Sequence, residues 1–482
     1  MKNIIVGSGI GGLVTALYLT QAGEEVTIVE KDKEAGGRIK WVKQDGFKID
    51  EGPTIVLLPE TIKAILAEAG MNPEVLEMER IDPLYRMVFA DDTEFYKWSD
   101  PDKQKNEMAR VFPGEEENFE RFIRDMKKNF LQGEKDFLSR SFMRKREFFT
   151  AGNIRSLWQM KAYQPVRSQV ADYFEDARLR DAYSLQTLYI GGNPATTPGI
   201  YSLVSFSEQY HGIWYIRGGY ATLIEKIRQE LERRGVIFRF EETALSIQAK
   251  EKTFTALKTN KRVEPAERLI CNCELPAAEQ LVEKKPQKKY TSSSGCLLIY
   301  LGLDKIYTKA SIHQFFMGNN FDHQMKQVFD TKELPEDPSI YAFHPSLIDS
   351  TLAPEGKSVL YLLVPVPSGN NIDWEVQDEF IQSILEAVEN KGFPHLRSSI
   401  QWMQVRTPKD AERYGLYEGG SFGIAPGFTQ SGAFRPQLKP FSYNNVYAVG
   451  ASTHPGGGVP IVMQGAKLLA EHLKVGRKQD VF

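Results

Sequence analysis

Apolar positions near the amino terminus switch period within a few residues. Asn3-Ile4-Ile5-Val6 is a short run rich in β-branched residues, and Leu13, Ala16, Leu17 and Leu19 follow at helical spacing. The pattern predicts a strand, a tight turn and a helix, with a second strand over residues 25–29. Further along, residues 61–69 read as an amphipathic helix stopped by Gly70, and Leu223, Ile224, Ile227 and Leu231 mark another, ended by Gly235. Residues 185–194 form an apolar segment closed by a turn. Strands are predicted at 236–240 and 268–271, beside the strand at 25–29. A strand-rich body follows at 295–303, 339–343, 358–365 and 401–405, with one helix at 374–390. The last apolar strand, near 445–449, leads through glycines into a helix over 461–473 opened by Pro460.

The first turn carries chemistry. Gly7-Ser8-Gly9-Ile10-Gly11-Gly12 sits between strand and helix, and Glu30 ends the second strand eighteen residues after Gly12. In a βαβ unit Gly7 permits the tight turn, Gly9 lets backbone approach a pyrophosphate, and Gly12 lets helix and strand pack closely. The pyrophosphate meets the positive end of the helix, and Glu30 can accept hydrogen bonds from a ribose. Gly36-Gly37-Arg38, just beyond the ribose acid, is typical of flavin-binding chains, where the arginine adds charge-assisted hydrogen bonds. Asp50-Glu51-Gly52-Pro53-Thr54 reads as a bend where backbone approaches a flavin ring. Gly450 and Gly456-Gly457-Gly458-Val459 form a second strand-to-helix turn, whose helix N-terminus favours negative charge on a reduced ring. His454 is the ionisable side chain of that motif, a proton acceptor, a flavin-positioning group or a structural cap.

Charge narrows the partners. In 482 residues, 60 Lys and Arg stand against 63 Asp and Glu, for a net charge of -3. Nothing global draws this chain to nucleic acid. Cys271, Cys273 and Cys296 make no disulfide framework and read as core residues of a reducing cytoplasm, and no metal site is expected. The fingerprint starts at residue 3, which predicts no signal peptide, and no apolar run of membrane-spanning length is present. One stretch departs from this balance. Residues 121–167 hold twelve Lys and Arg against four Asp and Glu, interleaved with Phe122, Phe130, Phe137, Phe142, Phe148, Phe149 and Trp158. It suits either a membrane-surface element or a helix pair with a solvated basic face.

Together the fingerprint with Glu30, Gly36-Gly37-Arg38, the 50–54 bend and Gly450-Ala-Ser-Thr-His-Pro-Gly-Gly-Gly-Val-Pro460 resemble the bacterial carotenoid (phytoene) desaturase family. Within it, Gln186-Thr-Leu-Tyr-Ile-Gly191, Asp337-Pro-Ser-Ile-Tyr341 and Leu352-Ala-Pro-Glu-Gly-Lys357 most resemble the C30 diapophytoene (dehydrosqualene) desaturases. The resemblance implies an α/β fold with a Rossmann-like, glutathione-reductase-type FAD domain, a mixed-sheet substrate domain and a helical membrane-facing insertion. It implies FAD at Gly7, Gly9, Gly12, Glu30, Gly37, Arg38, Gly52, Pro53, Thr54, Gly450, Gly457, Gly458 and Val459. Where many relatives carry a ribitol-binding acid after the glycine matching Gly450, this chain has Ala451-Ser452. The expected division is 1–75, 210–280 and 440–482 for FAD, 76–209 for the membrane-associated helical part, and 281–439 for the mixed sheet.

The activity implied is stepwise desaturation of 4,4'-diapophytoene toward 4,4'-diaponeurosporene or diapolycopene, by hydride transfer to flavin and proton loss, with oxygen or quinone as acceptor. The enzyme would sit on the inner, cytoplasmic face of the cell membrane to reach its long isoprenoid substrate. Two alternatives are a same-fold oxidase of the terminal methyl groups and a flavin carotenoid isomerase that leaves substrate mass unchanged.

Overall fold

A computed structural model describes residues 1–284 and 289–474, so 475–482 of the expected FAD part and 285–288 of the expected mixed-sheet part lie outside the described residues. The first body is built on a parallel sheet in the order Val446–Ala448, Arg268–Cys271, Lys2–Val6, Glu25–Val29, Ile237–Arg239. Ile5 pairs with Ile28 on one side and Ile270 on the other. Strands 237–239 and 268–271 therefore flank the fingerprint pair from opposite sides, and only 237–239 lies directly beside 25–29. The strands are apolar almost throughout because helices cover the sheet. Helix Ile10–Gln21 is buried from Ile10 to Leu19 and packs against helices Ala221–Arg233 and Val459–His472. On the other side, a three-stranded antiparallel sheet and helix Leu275–Glu283 close a second cluster.

The second body is a seven-stranded sheet ordered Ile400–Arg406, Gly295–Leu303, Ser358–Val366, Ile340–Phe343, His313–Phe316, Tyr85–Val88, Glu94–Lys97. Period-two alternation divides its faces. Leu297, Ile299 and Leu301 pack with helix Asp378–Lys391, whereas Cys296, Leu298 and Tyr300 face the opposite cluster. Every residue of Gly295–Leu303 is buried, as a central strand covered on both faces requires.

The stretch 76–209, expected to be helical, begins instead with three strands. Met78–Ile81 pairs with Ile213–Ile216, and Tyr85–Val88 and Glu94–Lys97 complete the edge of the large sheet. Tyr85, Met87, Phe95 and Lys97 are the inward members of a period-two pattern, which overrides the helical texture that begins only at Pro101.

The basic, aromatic stretch divides in two. Phe119, Phe122, Met126 and Phe130 of helix Glu116–Gly133 are buried, as are Phe137, Phe142 and Phe148 beyond it. Helix Ala151–Gln159 is inverted, burying Asn153 and Ser156 while Ile154 and Trp158 face outward, Trp158 at 68% exposure. Hydrogen bonds hold the polar face in: Asn153 donates to the Phe148 carbonyl at 2.7 Å, and Ser156 donates to Asp136 at 2.7 Å.

Candidate functional site: a glycine cradle opening into an apolar channel

Gly7 leaves the first strand at φ +97°, where a Cβ would lie 2.9 Å from the Asn272 carbonyl oxygen. A Cβ on Gly12 would come 2.5 Å from the Gly7 oxygen, so the helix sits where only glycine fits. Asn272, at the end of strand Arg268–Cys271, donates from Nδ2 to the carbonyls of both Gly7 and Gly9 at 3.1 Å. This fixes the loop with its carbonyls turned away and leaves the first-turn amides of the helix for an anion. Glu30 accepts from the Ser8 amide at 2.8 Å, the Ser8 hydroxyl at 2.6 Å and the Asp32 amide at 3.0 Å, so its carboxylate is held at the cavity wall.

The Gly-Gly-Arg turn lies directly on this loop. Gly36 donates to the Ser8 carbonyl at 3.0 Å, and Gly37, at φ +59°, would place a Cβ 3.4 Å from the Gly9 Cα. Arg38 pairs with Glu274, which also accepts from Ser452 at 2.8 Å, tying the turn to the carboxy-terminal motif. Burial, and then the neighbouring Arg406 guanidinium, lower the Arg38 pKa to about 10. Its Nε is buried without a partner among the described residues, a donor left for a ligand.

Three tyrosines of the large sheet reach the 51–54 bend. Tyr300 donates to the Glu51 carbonyl at 2.6 Å, Tyr361 to the Gly52 carbonyl at 3.3 Å, and Tyr341 shares a 2.8 Å hydrogen bond with Thr54. Gly52 is packed so closely on Arg38 that a Cβ would strike the Arg38 carbonyl oxygen, and Pro53 lines the cavity beside it. At the far motif, Gly450, Gly456 and Gly458 all have positive φ, and helix Val459–His472 starts with Pro460 in its first turn. Gly457 lies on the same wall, and Gly11 and Gly450 both face Asn272 Oδ1. Two helix N-termini thus converge on one cavity.

His454 is 4% exposed, with Nε2 2.8 Å from the Arg140 carbonyl. Only a protonated Nε2 can make that bond, so this nitrogen is already a donor. Burial holds the ring neutral, lowering its pKa to about 4. Sequence reasoning singled out none of Asn272, Glu274 and Arg435. Arg435 is buried and donates to the carbonyls of Ala451 at 2.5 Å and Thr453 at 3.3 Å, holding the carboxy-terminal loop. Asn272 and Glu274 follow a strand end, and that position was their one available signal.

The cavity has a volume of about 1370 Å³, more than the roughly 300–1,000 Å³ of a site for one small molecule. From the glycine cradle it continues past Leu188, Leu298, Phe315 and Met317 to a rim of Phe149, Ile154, Trp158, Tyr163 and Phe434, all substantially exposed. Arg144, Lys145 and Arg146 lie in sequence just before this rim. No helix among the described residues is long and apolar enough to cross a membrane.

A family model described as "Flavin containing amine oxidoreductase" matches residues 10–473. The chain belongs to that family. The 4,4'-diapolycopen-4-al dehydrogenase of Metabacillus indicus is 50% identical over 97% of this chain and 96% of its own. The diaponeurosporene-forming 4,4'-diapophytoene desaturase of Staphylococcus haemolyticus is 31% identical over 98% of both chains. Both place this flavin-containing oxidoreductase among the carotenoid desaturase relatives. In fold it resembles the cyclohexylamine oxidase of Brevibacterium oxydans, with a TM-score of 0.63 at 15% identity over 98% of this chain and 99% of that one. The protein is an FAD-dependent oxidoreductase. The residues present fit FAD: the first-turn amides would meet the pyrophosphate, Glu30 would accept from the ribose, and Arg38 Nε, without a partner among the described residues, would be left for a further acceptor.

Proposed function

We propose that this enzyme oxidises the end group of a linear C30 carotenoid, with the terminal aldehyde carbon as hydride donor. The observation that carries the reading is the 50% identity to a diapolycopenal dehydrogenase across nearly the whole of both chains, against 31% to a diapophytoene desaturase. An aldehyde R-CHO adds water to give R-CH(OH)2, and loss of a hydride from carbon and a proton from oxygen then gives R-COOH. Bound FAD supplies the hydride acceptor. The chain's own residues hold and align the reacting end, with room at the cofactor side for the one water the aldehyde takes up. Leu298, Phe315, Met317 and Leu363 give the channel apolar walls, and the 51–54 bend brings backbone to its cofactor side. Pre-alignment in the apolar channel supplies much of what such a reaction needs. Oxygen or a quinone takes the electrons onward.

The substrate dissolves in membrane, and the rim suits a membrane surface. Outward apolar side chains at 149–163 can enter the interface while the neighbouring cations meet anionic head groups. The second reading is desaturation of diapophytoene, favoured by end-to-end similarity to a diapophytoene desaturase. Mass spectrometry of liposomal substrates incubated with the FAD-loaded enzyme separates them. Gain of one oxygen on diapolycopenal, with diapophytoene unchanged, supports end-group oxidation. Successive loss of hydrogen pairs from diapophytoene, with the aldehyde untouched, replaces it with desaturation, and isomers of unchanged mass replace both.

A further inference from the structure

The three tyrosines on the 51–54 bend are not equivalent. Tyr300 and Tyr361 donate to backbone carbonyls, so their phenol hydrogens are committed. The hydroxyl of Tyr341 meets side chains instead: Thr54 Oγ1 at 2.8 Å and His313 Nδ1 at 2.7 Å. His313, on the neighbouring strand, is wholly buried and stacks on Phe343 with ring centroids 4.9 Å apart. Its Nε2 has no partner among the described residues. Burial lowers its pKa to about 3, so the ring is neutral and has one N–H to place. On Nε2 that hydrogen would be buried without an acceptor, whereas on Nδ1 it donates to the Tyr341 oxygen. With His313 donating, the phenol hydrogen of Tyr341 turns toward Thr54 or into the cavity that both residues line.

We infer that Tyr341, oriented by His313, donates a hydrogen bond to the carbonyl oxygen of a polyene aldehyde held beside the 51–54 bend. This rests on the end-group reading and names the group that reading requires the channel to recognise. The surrounding wall is Leu298, Phe315, Met317, Ile340 and Leu363. A hydrocarbon end offers Tyr341 nothing in exchange for exclusion of water, whereas a carbonyl gains a donor in a dry site. Tyr341 is thus a specificity-determining residue for oxygenated ends, and His313 positions it.

The test uses FAD-loaded enzyme and two probes: diapolycopenal, and a methyl ketone on the same polyene, which binds without an aldehyde hydrogen to lose. Bound to wild-type enzyme, the ketone's C=O Raman stretch is expected below its frequency in hydrocarbon solvent. In Tyr341→Phe the stretch returns to the solvent value and kcat/KM for the aldehyde falls by about a hundredfold, with FAD content unchanged. An unshifted stretch in wild type overturns the inference without any variant. So does a Tyr341→Phe enzyme that holds FAD and keeps kcat/KM within about twofold, less than one ordinary hydrogen bond is worth. In both cases wild-type oxidation of the aldehyde leaves the end-group reading standing. If wild type binds no ketone and oxidises no aldehyde, both fall.

Discussion

Asn272 Nδ2 lies 3.1 Å from the carbonyl oxygens of both Gly7 and Gly9, so one amide at the end of a distant strand sets the shape of the first glycine loop. Asn272→Ala is expected to weaken FAD binding about 10–100-fold, the effect of removing one or two partly buried hydrogen bonds. Asn272→Asp should be worse, because a carboxylate would face two carbonyl oxygens. Fluorescence titration of FAD into the apoprotein measures both, and equal affinity in wild type and Asn272→Ala would remove the residue from this role.

Gly12 and Gly23 separate crowding from backbone preference. A methyl on Gly12 meets the Gly7 oxygen at 2.5 Å, while one on Gly23 meets nothing within 4 Å, although φ there is +76°. Gly12→Ala should purify without FAD. Gly23→Ala should lose about 1 kcal/mol of stability from the left-handed backbone and keep its cofactor. The absorbance ratio of flavin to protein, with a denaturation midpoint, checks the pair.

Asp50 accepts from the amides of Tyr220 at 2.8 Å and Ala221 at 3.1 Å, capping helix Ala221–Arg233 from a buried position. Burial raises its pKa to about 7, against the opposing pull of those two amides. The folded state therefore holds a proton more tightly than the unfolded chain, whose aspartates titrate near 3.9. The stability from this group is full below about pH 4, is lost as pH rises toward 7, and is flat beyond. Asp50→Asn keeps an acceptor for the cap and removes the titration. Its stability relative to wild type should grow by about 1.4 kcal/mol per pH unit between those limits. Urea denaturation at several pH values tests this, and a constant difference would contradict it.

At the rim, Trp158 is 68% exposed and stacks on Tyr163 with ring centroids 4.6 Å apart. Transfer of such a side chain from water is worth roughly 1.5–3 kcal/mol, so Trp158→Ala should reduce partitioning onto anionic liposomes by about tenfold or more. Charge reversal at Arg144, Lys145 and Arg146 should weaken the same partitioning, and most at low salt. Co-sedimentation with vesicles is the assay; partitioning that is absent in wild type, or unchanged by both substitutions, would remove this rim from the proposed membrane contact.

Whatever depends on near neighbours is written in the order of the amino acids alone. A β-branched run, glycines at fixed intervals and a 3.6-residue apolar period specify strand, turn and helix over a dozen residues, which is why the places of Gly7, Gly9, Gly12 and Glu30 in that unit are legible. Tertiary structure decided whatever needed residues hundreds of positions apart. Asn272 supports Gly9 across 263 residues, Tyr300 reaches Glu51 across 249, and Glu274 joins Arg38 to Ser452. No local pattern encodes those meetings, because they follow from which strands become neighbours in a sheet. The same reason explains helix Ala151–Gln159 and His313. Composition marks apolar and ionisable side chains, but only the packed surroundings turn Trp158 outward and bury an imidazole against Tyr341. Burial and hydrogen-bond pairing are properties of the assembled chain, and they decide what each side chain can do.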